Sequence, residues 1–171
     1  MKIWKEILKA AARGQSLPFD ADALMSLARE QANKAGARGE VPIGAVLWSD
    51  GKILLSSSNQ RERKTRTAGH AEIELLDKYN SLYGSWRLPL DSVVVVTLEP
   101  CLMCTGALLQ ARAAKIIYGC KDTKNAGLRL VQSQIESNIF DHAVTIQSGV
   151  QEKECAEMLS KFFQNRRRER N

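Results

Sequence analysis

No uncharged apolar run in these 171 residues approaches the ~18–20 residues that a membrane-spanning helix needs. The longest candidate, residues 93–98, is the size of a strand, so a soluble protein is expected. There is no internal repeat, and the composition excludes a collagen-like or low-complexity chain. The first residues intersperse Lys2, Lys5 and Glu6 with Ile3, Trp4, Ile7 and Leu8, so the uninterrupted apolar stretch of a secretory signal is missing and nothing points to export. Cysteines are few, at positions 101, 104, 120 and 155. Without a leader they are expected in a reducing compartment, where metal or redox chemistry is favoured over a disulfide framework.

What is present is an ordinary globular composition, 44% hydrophobic and 26% charged, enough to bury a core. The length leaves room for one domain, since single cores occupy ~100–200 residues. The formal charge of +6 is not diffuse. Residues 2–13, 61–66 and 166–170 each carry four basic side chains and one acidic one, a net +3 apiece, so the remainder of the chain is net −3. Clustering of this kind suits a polyanion, although a charge run alone is more often a solvated surface.

Asp20 predicts the cap of a helix running to about Ala35, closed by Gly36 and Gly39. Residues 43–48 and 52–55 read as a hairpin with an Asp50-Gly51 turn, and the basic loop 61–66 follows. A helix is predicted from His70 to about Tyr79, then a loop to Pro89 in which Trp86 packs onto the core. Residues 93–98 are apolar without alternation, as in a central strand covered on both faces. Pro100 suits the first position of a helix to about Arg112, and strands are predicted at 115–119 and 144–146. Residues 120–142 read as irregular or weakly helical, and residues 150–170 as a last helix with Met158, Leu159, Phe162 and Phe163 on one side. Strands alternating with helices imply an α/β sheet with helices on both faces.

Two short motifs stand at predicted helix starts: His70-Ala71-Glu72 and Pro100-Cys101-Leu102-Met103-Cys104. Residues three apart lie about 60° from each other around a helix, so Cys101 and Cys104 are expected to grip one ion from one face. The positive helix N-terminus favours their thiolates. With His70 as a nitrogen donor the set is soft enough to favour Zn²⁺, and three protein ligands leave one tetrahedral position for water. Glu72 is surplus to the metal count and, in a regular helix, points about 200° from His70. Both address one site only near a frayed first turn, where Glu72 can serve as general acid and base. The competing possibility is a structural site closed by Cys120, which leaves Glu72 without a purpose. Cys155 reads as a small apolar residue on the inner face of the last helix.

These paired motifs, with Val41-Pro42-Ile43-Gly44-Ala45-Val46, Asn59, Trp86-Arg87-Leu88, Thr97-Leu98-Glu99 and Phe162-Phe163 ahead of Arg166-Arg167, resemble the bacterial tRNA-specific adenosine deaminase family over residues 19–168. The resemblance implies a three-layer α/β/α, cytidine-deaminase-like fold around a mixed sheet of about five strands. It divides the chain into a basic extension, residues 1–17, and one deaminase domain, residues 18–171. The implied activity is hydrolysis of the wobble adenosine, at the first anticodon position of a tRNA, to inosine: zinc-activated hydroxide attacks C6 of the flipped-out base and Glu72 carries protons to N1 and the departing amine. One Zn²⁺ per subunit on His70, Cys101 and Cys104 is implied. Asn59, Ala71, Asp122 and His142 are the implied substrate contacts, while Phe163, Arg166 and Arg167 of the last helix hold the anticodon arm. A cytoplasmic homodimer acting on tRNA, with neither DNA nor membrane as a partner, completes the expectation.

A deaminase of free guanine or cytosine shares such a metal site but has no use for clustered arginines. A binding module with a structural zinc is opposed by Glu72. Without the resemblance, Asn59 and Asp122 are turn or cap residues, His142 is structural, and one of Phe162 and Phe163 only packs. The chain departs from the family at residues 125–129, at Asp141 and at Gly69, none of which touches the metal donors or Glu72.

Overall fold

Asp20 caps the first helix as its position predicts, its side chain accepting from the Ala23 N–H at 3.0 Å, and α1 spans Ala21–Gly36. The computed structural model describes residues 19–125, 127–137, 140 and 142–169, so the basic extension, Asp141 and Arg170 lie outside the described residues. Strands β1 (Gly44–Ser49) and β2 (Lys52–Ser58) form the expected hairpin, turned by Asp50 and Gly51 at φ 47° and 68°. Positive φ at both central residues is what a two-residue turn needs to match strand twist. There follow α2 (Ala71–Tyr83), β3 (Val93–Leu98), α3 (Leu102–Gln110), β4 (Lys115–Cys120), the short α4 (Gly127–Leu130) and α5 (Gln132–Glu136), β5 (Thr145–Gln147) and α6 (Glu152–Arg168).

The five strands form one mixed sheet in the order β2-β1-β3-β4-β5, with β1 antiparallel to β2 and β3, and β3, β4 and β5 parallel. Its two faces are sorted residue by residue. Ala45, Leu47, Val94, Val96, Ile116 and Tyr118 join Leu75 and Tyr79 of α2 and Leu108 of α3 in one buried cluster. Val46, Val93, Val95 and Ile117 join Leu24, Met25 and Ala28 of α1 and Cys155 of α6 in the other. Burial on both faces is why β3 shows no polar alternation. The layers are therefore α/β/α, as expected.

Gly44 is required by the closeness of one layer: a Cβ there would fall on the Ala28 carbonyl and 2.6 Å from the Ala32 backbone nitrogen. Gly44→Ala is expected to destabilise the fold by ~1–3 kcal/mol through overpacking against rigid backbone, measured as a lower urea midpoint with an unchanged slope.

Three expectations need correction. Trp86 does not pack down; it is 55% exposed with the Arg87 guanidinium 4.6 Å from its ring centroid, and the neighbouring Leu88 is the buried residue, its N–H bonded to the Ala111 carbonyl. The loop starts later than predicted because α2 runs on to Tyr83 before Gly84 stops it at φ 62°. Pro100 is not in α3, which begins at Leu102: Cys101 is an extended N-cap with φ −68° and ψ 170°, and the Pro100 carbonyl is taken by the Leu128 N–H. Among the described residues no helix is long and apolar enough to cross a membrane.

Candidate functional site

One end of the sheet collects both of the short motifs. Since β3 and β4 run parallel and β1 opposes them, the carboxyl ends of β3 and β4 lie beside the start of β1 and the end of β2. Ligand sites in open α/β sheets favour this edge. Asn59 follows β2, Cys101 follows β3, Asp122 follows β4, and the N-termini of α2 and α3 open there. His70 is the N-cap of α2, extended at φ −77° and ψ 153°, not a residue of its first turn. That conformation lets His70 and Glu72 address one site despite the angle a continuous helix would impose. Cys101 is likewise an N-cap, so the two cysteines converge from a cap and a first turn, not from one helical face.

His70 Nδ1 lies 3.6 Å from Cys101 Sγ and 3.5 Å from Cys104 Sγ, and the three donor atoms lie within 4.8 Å of one another. For a tetrahedral zinc with its usual bond lengths the N···S edge is about 3.5 Å, so the donor set fits that ion in chemistry and size. Hydrogen bonds from Cys104 and His70 hold the Cys101 thiol down at about 4, in the thiolate form. The Cys104 thiol is pushed up by its bond to Cys101 and by burial, and His70 is raised by its bond to Cys101. Glu72 is buried, and desolvation raises its carboxyl, with the charge of Cys101 acting in the same direction. The group in which these ligand atoms converge contains no Cys120: its Sγ turns to the Thr97 carbonyl at 3.5 Å, and burial pushes its thiol up to about 11. Cys120 on β4 thus stands apart from the three converging donors. Cys155 is buried on the inner face of α6 as expected.

A cavity of about 960 Å³ opens over these groups, lined by Asn59, His70, Glu72, Cys101, Asp122, Phe163 and Arg167 among others. Ala71 is fully buried behind it, its carbonyl accepting from Ser57 Oγ. His142 and Arg166 do not line it: His142 meets Arg112 at 3.0 Å, and Arg166 lies over the Phe162 ring at 6.0 Å. The two phenylalanines divide, Phe163 facing the cavity and Phe162 the groove between α1 and α6. Of the basic loop, Lys64 and Arg66 are paired with Glu74 and Asp77, and Arg63 bonds to Gln60, so only Arg61 is turned to the cavity. Arg61, Lys121, Lys124 and Arg167 line the rim without an ion pair among the described residues.

A family profile described as the cytidine and deoxycytidylate deaminase zinc-binding region matches residues 19–120. The chain belongs to that family. It is 39% identical over 146 residues to a Bacillus subtilis protein named tRNA-specific adenosine deaminase, covering 85% of this chain and 90% of that one. An Agrobacterium fabrum protein of the same name is 38% identical, covering 84% and 93%. A solved structure from a study of A-to-I editing by tRNA:A34 deaminases at the wobble position superposes with a TM-score of 0.73 at 37% identity, covering 80% of this chain and 98% of that one. A guanine deaminase from Nitrosomonas europaea has a TM-score of 0.72 at 16% identity and shows the shared fold. The chain is accordingly a zinc-dependent hydrolytic deaminase.

Three buried glutamates hold the rim of this deaminase; Glu99 lies in the Thr97-Leu98-Glu99 stretch that carries the resemblance, but no local pattern gave any of the three a role, because their partners are brought together only by the fold. Glu99 accepts from the Asp122 N–H at 3.1 Å and from Arg129 Nε at 3.0 Å, setting the loop after β4. Arg129, one of the departures from the family, thus has a structural task, which its bond to the Asp122 carbonyl completes. Glu74 takes Gln60 Nε2 and Lys64 Nζ at 3.2 and 2.6 Å. Glu40 takes Asn59 and the loop behind it. Gly69 has its reason here too: a Cβ would come within 2.9 Å of Arg61 Cα and 3.1 Å of the Arg66 carbonyl, so the basic loop folds back only against glycine.

Proposed function

We propose that this deaminase converts adenosine at the first anticodon position of a tRNA to inosine. The observation that carries the reading is 34–39% identity, over at least 83% of each curated relative, to proteins named tRNA-specific adenosine deaminase. The rim supports it: four cations without an ion pair among the described residues surround the cavity and suit a phosphate backbone, whereas a free base gives them nothing to bind. We infer that the domain spans residues 18–171 behind a basic extension and works in the cytoplasm as a homodimer. The exposed Leu102 and Met103, beside the metal donors, support a partner chain at each site.

His70, Cys101 and Cys104 would hold the zinc. When bound to three protein ligands, zinc leaves one position open and brings water to ionise near pH ~7. Glu72, buried and with a raised carboxyl, would take one proton from that water and pass it to N1, then take the remaining hydroxyl proton and pass it to the departing amine. Water and adenosine thereby yield inosine and ammonia. Asn59 at the cavity wall contacts the base, Asp122 faces the nucleotide, and Phe163 offers a ring on which a base can stack.

Inosine formation in a panel of anticodon stem-loops tests the reading: conversion of an A34-containing arm is expected, and turnover of free guanine or cytosine with none of RNA would overturn it. Arg167→Ala is expected to weaken binding of the arm and to lower the slope of log K against log salt by roughly one unit through lost counterion release. An unchanged slope in a salt titration would remove Arg167 from the RNA path.

A further inference from the structure

Glu40 lies between α1 and β1, 1% exposed, and forms no ion pair among the described residues. Its charge is held by three N–H donors: Asn59 Nδ2 at 3.2 Å and the Glu62 N–H at 3.1 Å on one oxygen, and the Arg63 N–H at 2.8 Å on the other. A buried carboxylate persists only when such donors surround it. It also has nothing but lone pairs to offer, so Asn59 can turn only its NH₂ toward it. Asn59 itself is 3% exposed and lines the cavity with His70 and Glu72. What remains for it to present there is its carbonyl oxygen and one N–H, in a sense set by Glu40. The same carboxylate grips the two residues after Arg61, the cation of the basic loop that faces the cavity.

We propose that Glu40 is a positioning residue for base recognition: it fixes the orientation of the Asn59 amide, and so the hydrogen-bond pattern the cavity offers to substrate, while anchoring the start of the Arg61 loop. The proposal rests on the reading of Asn59 as a substrate contact. Glu40→Gln keeps the shape but places an NH₂ among donors, which turns the Asn59 amide or breaks its bond. Glu74→Gln supplies the comparison, because Glu74 holds the same loop through Gln60, Lys64 and Arg66 without touching Asn59.

The experiment is a double-mutant cycle on the full chain, read as kcat and KM for inosine formation in an anticodon arm, with zinc content and thermal unfolding measured alongside. Glu40→Gln is expected to lower kcat/KM by roughly 10²-fold with zinc retained, the cost of a misplaced recognition group. In an Asn59→Ala background it should cost no more than Glu74→Gln does, because the contact it orients is gone. An equal loss with and without Asn59 would overturn the proposal and leave Glu40 as a loop anchor. If Asn59→Ala alone leaves kcat/KM unchanged, Asn59 is no substrate contact and both readings fall. Should Glu40→Gln fail to fold or load zinc, Glu40→Asp, charged but one methylene shorter, is taken through the same cycle with the same two outcomes.

Discussion

Replacing Glu72 with glutamine is expected to abolish ammonia release while leaving zinc in place. The carboxylate stands outside the three donor atoms that converge for the metal, so the ion keeps its ligands. An amide of the same shape cannot take a proton from water or pass one to the base, and loss of a positioned general acid and base costs ~10²–10⁴-fold in rate. Stability should not suffer. Burial raises the Glu72 carboxyl, so whatever stability its titration contributes is complete below the ordinary glutamate range and is lost as pH rises through the raised value. A neutral glutamine therefore costs nothing at neutral pH. Ammonia release, metal content and an unfolding curve on one preparation decide the matter, and retained turnover would sink the proton-transfer role.

Cys104→Ala is expected to remove the zinc and with it all turnover. Cys104 is fully buried at the base of the site, and without it the donors are reduced to His70 and Cys101, both of them half-buried. Zinc bound only by the folded chain stabilises it by about 4.1 kcal/mol when free zinc stands a thousandfold above its Kd. Losing that linkage lowers Tm by roughly 8–16 °C for a domain of this size. Cys120→Ala is the discriminating partner: its sulfur is bonded to the Thr97 carbonyl and lies outside the donor group, so zinc content should stay full. Zinc retained by Cys104→Ala, or lost from Cys120→Ala, would require a different ligand set.

Much of the site was legible because its chemistry is written in short spacings. His70-Ala71-Glu72 and Cys101 with Cys104 are each local, and each falls where a helix begins. Their detailed geometry was not legible: a helical wheel puts Cys101 and Cys104 on one face, whereas the chain uses extended N-caps at His70 and Cys101 to aim the donors. The basic loop shows the same gap. Its four cations look equivalent in sequence, yet Lys64 and Arg66 are spent on Glu74 and Asp77, which lie a turn apart on α2, and Arg61 alone faces the cavity. Trp86 misled for a simpler reason: an aromatic in a loop between core elements suggests burial, but Leu88 two residues on fills that position.

Residue order alone carried the α/β class, the two-faced burial of residues 93–98, the hairpin turn and the three candidate metal donors that the fold brings together. Hydrophobic period, turn chemistry and ligand type are properties of neighbouring residues and survive without a fold. It took the folded chain to show that β1, β2, β3 and β4 bring their ends to one edge, that His142 and Arg166 lie off the cavity, and that Glu40, Glu74 and Glu99 are buried. The three carboxylates depend on partners 8 to 30 residues away in the chain. A buried carboxylate is tolerated only where distant backbone and side-chain donors converge on it, and no local pattern announces that convergence.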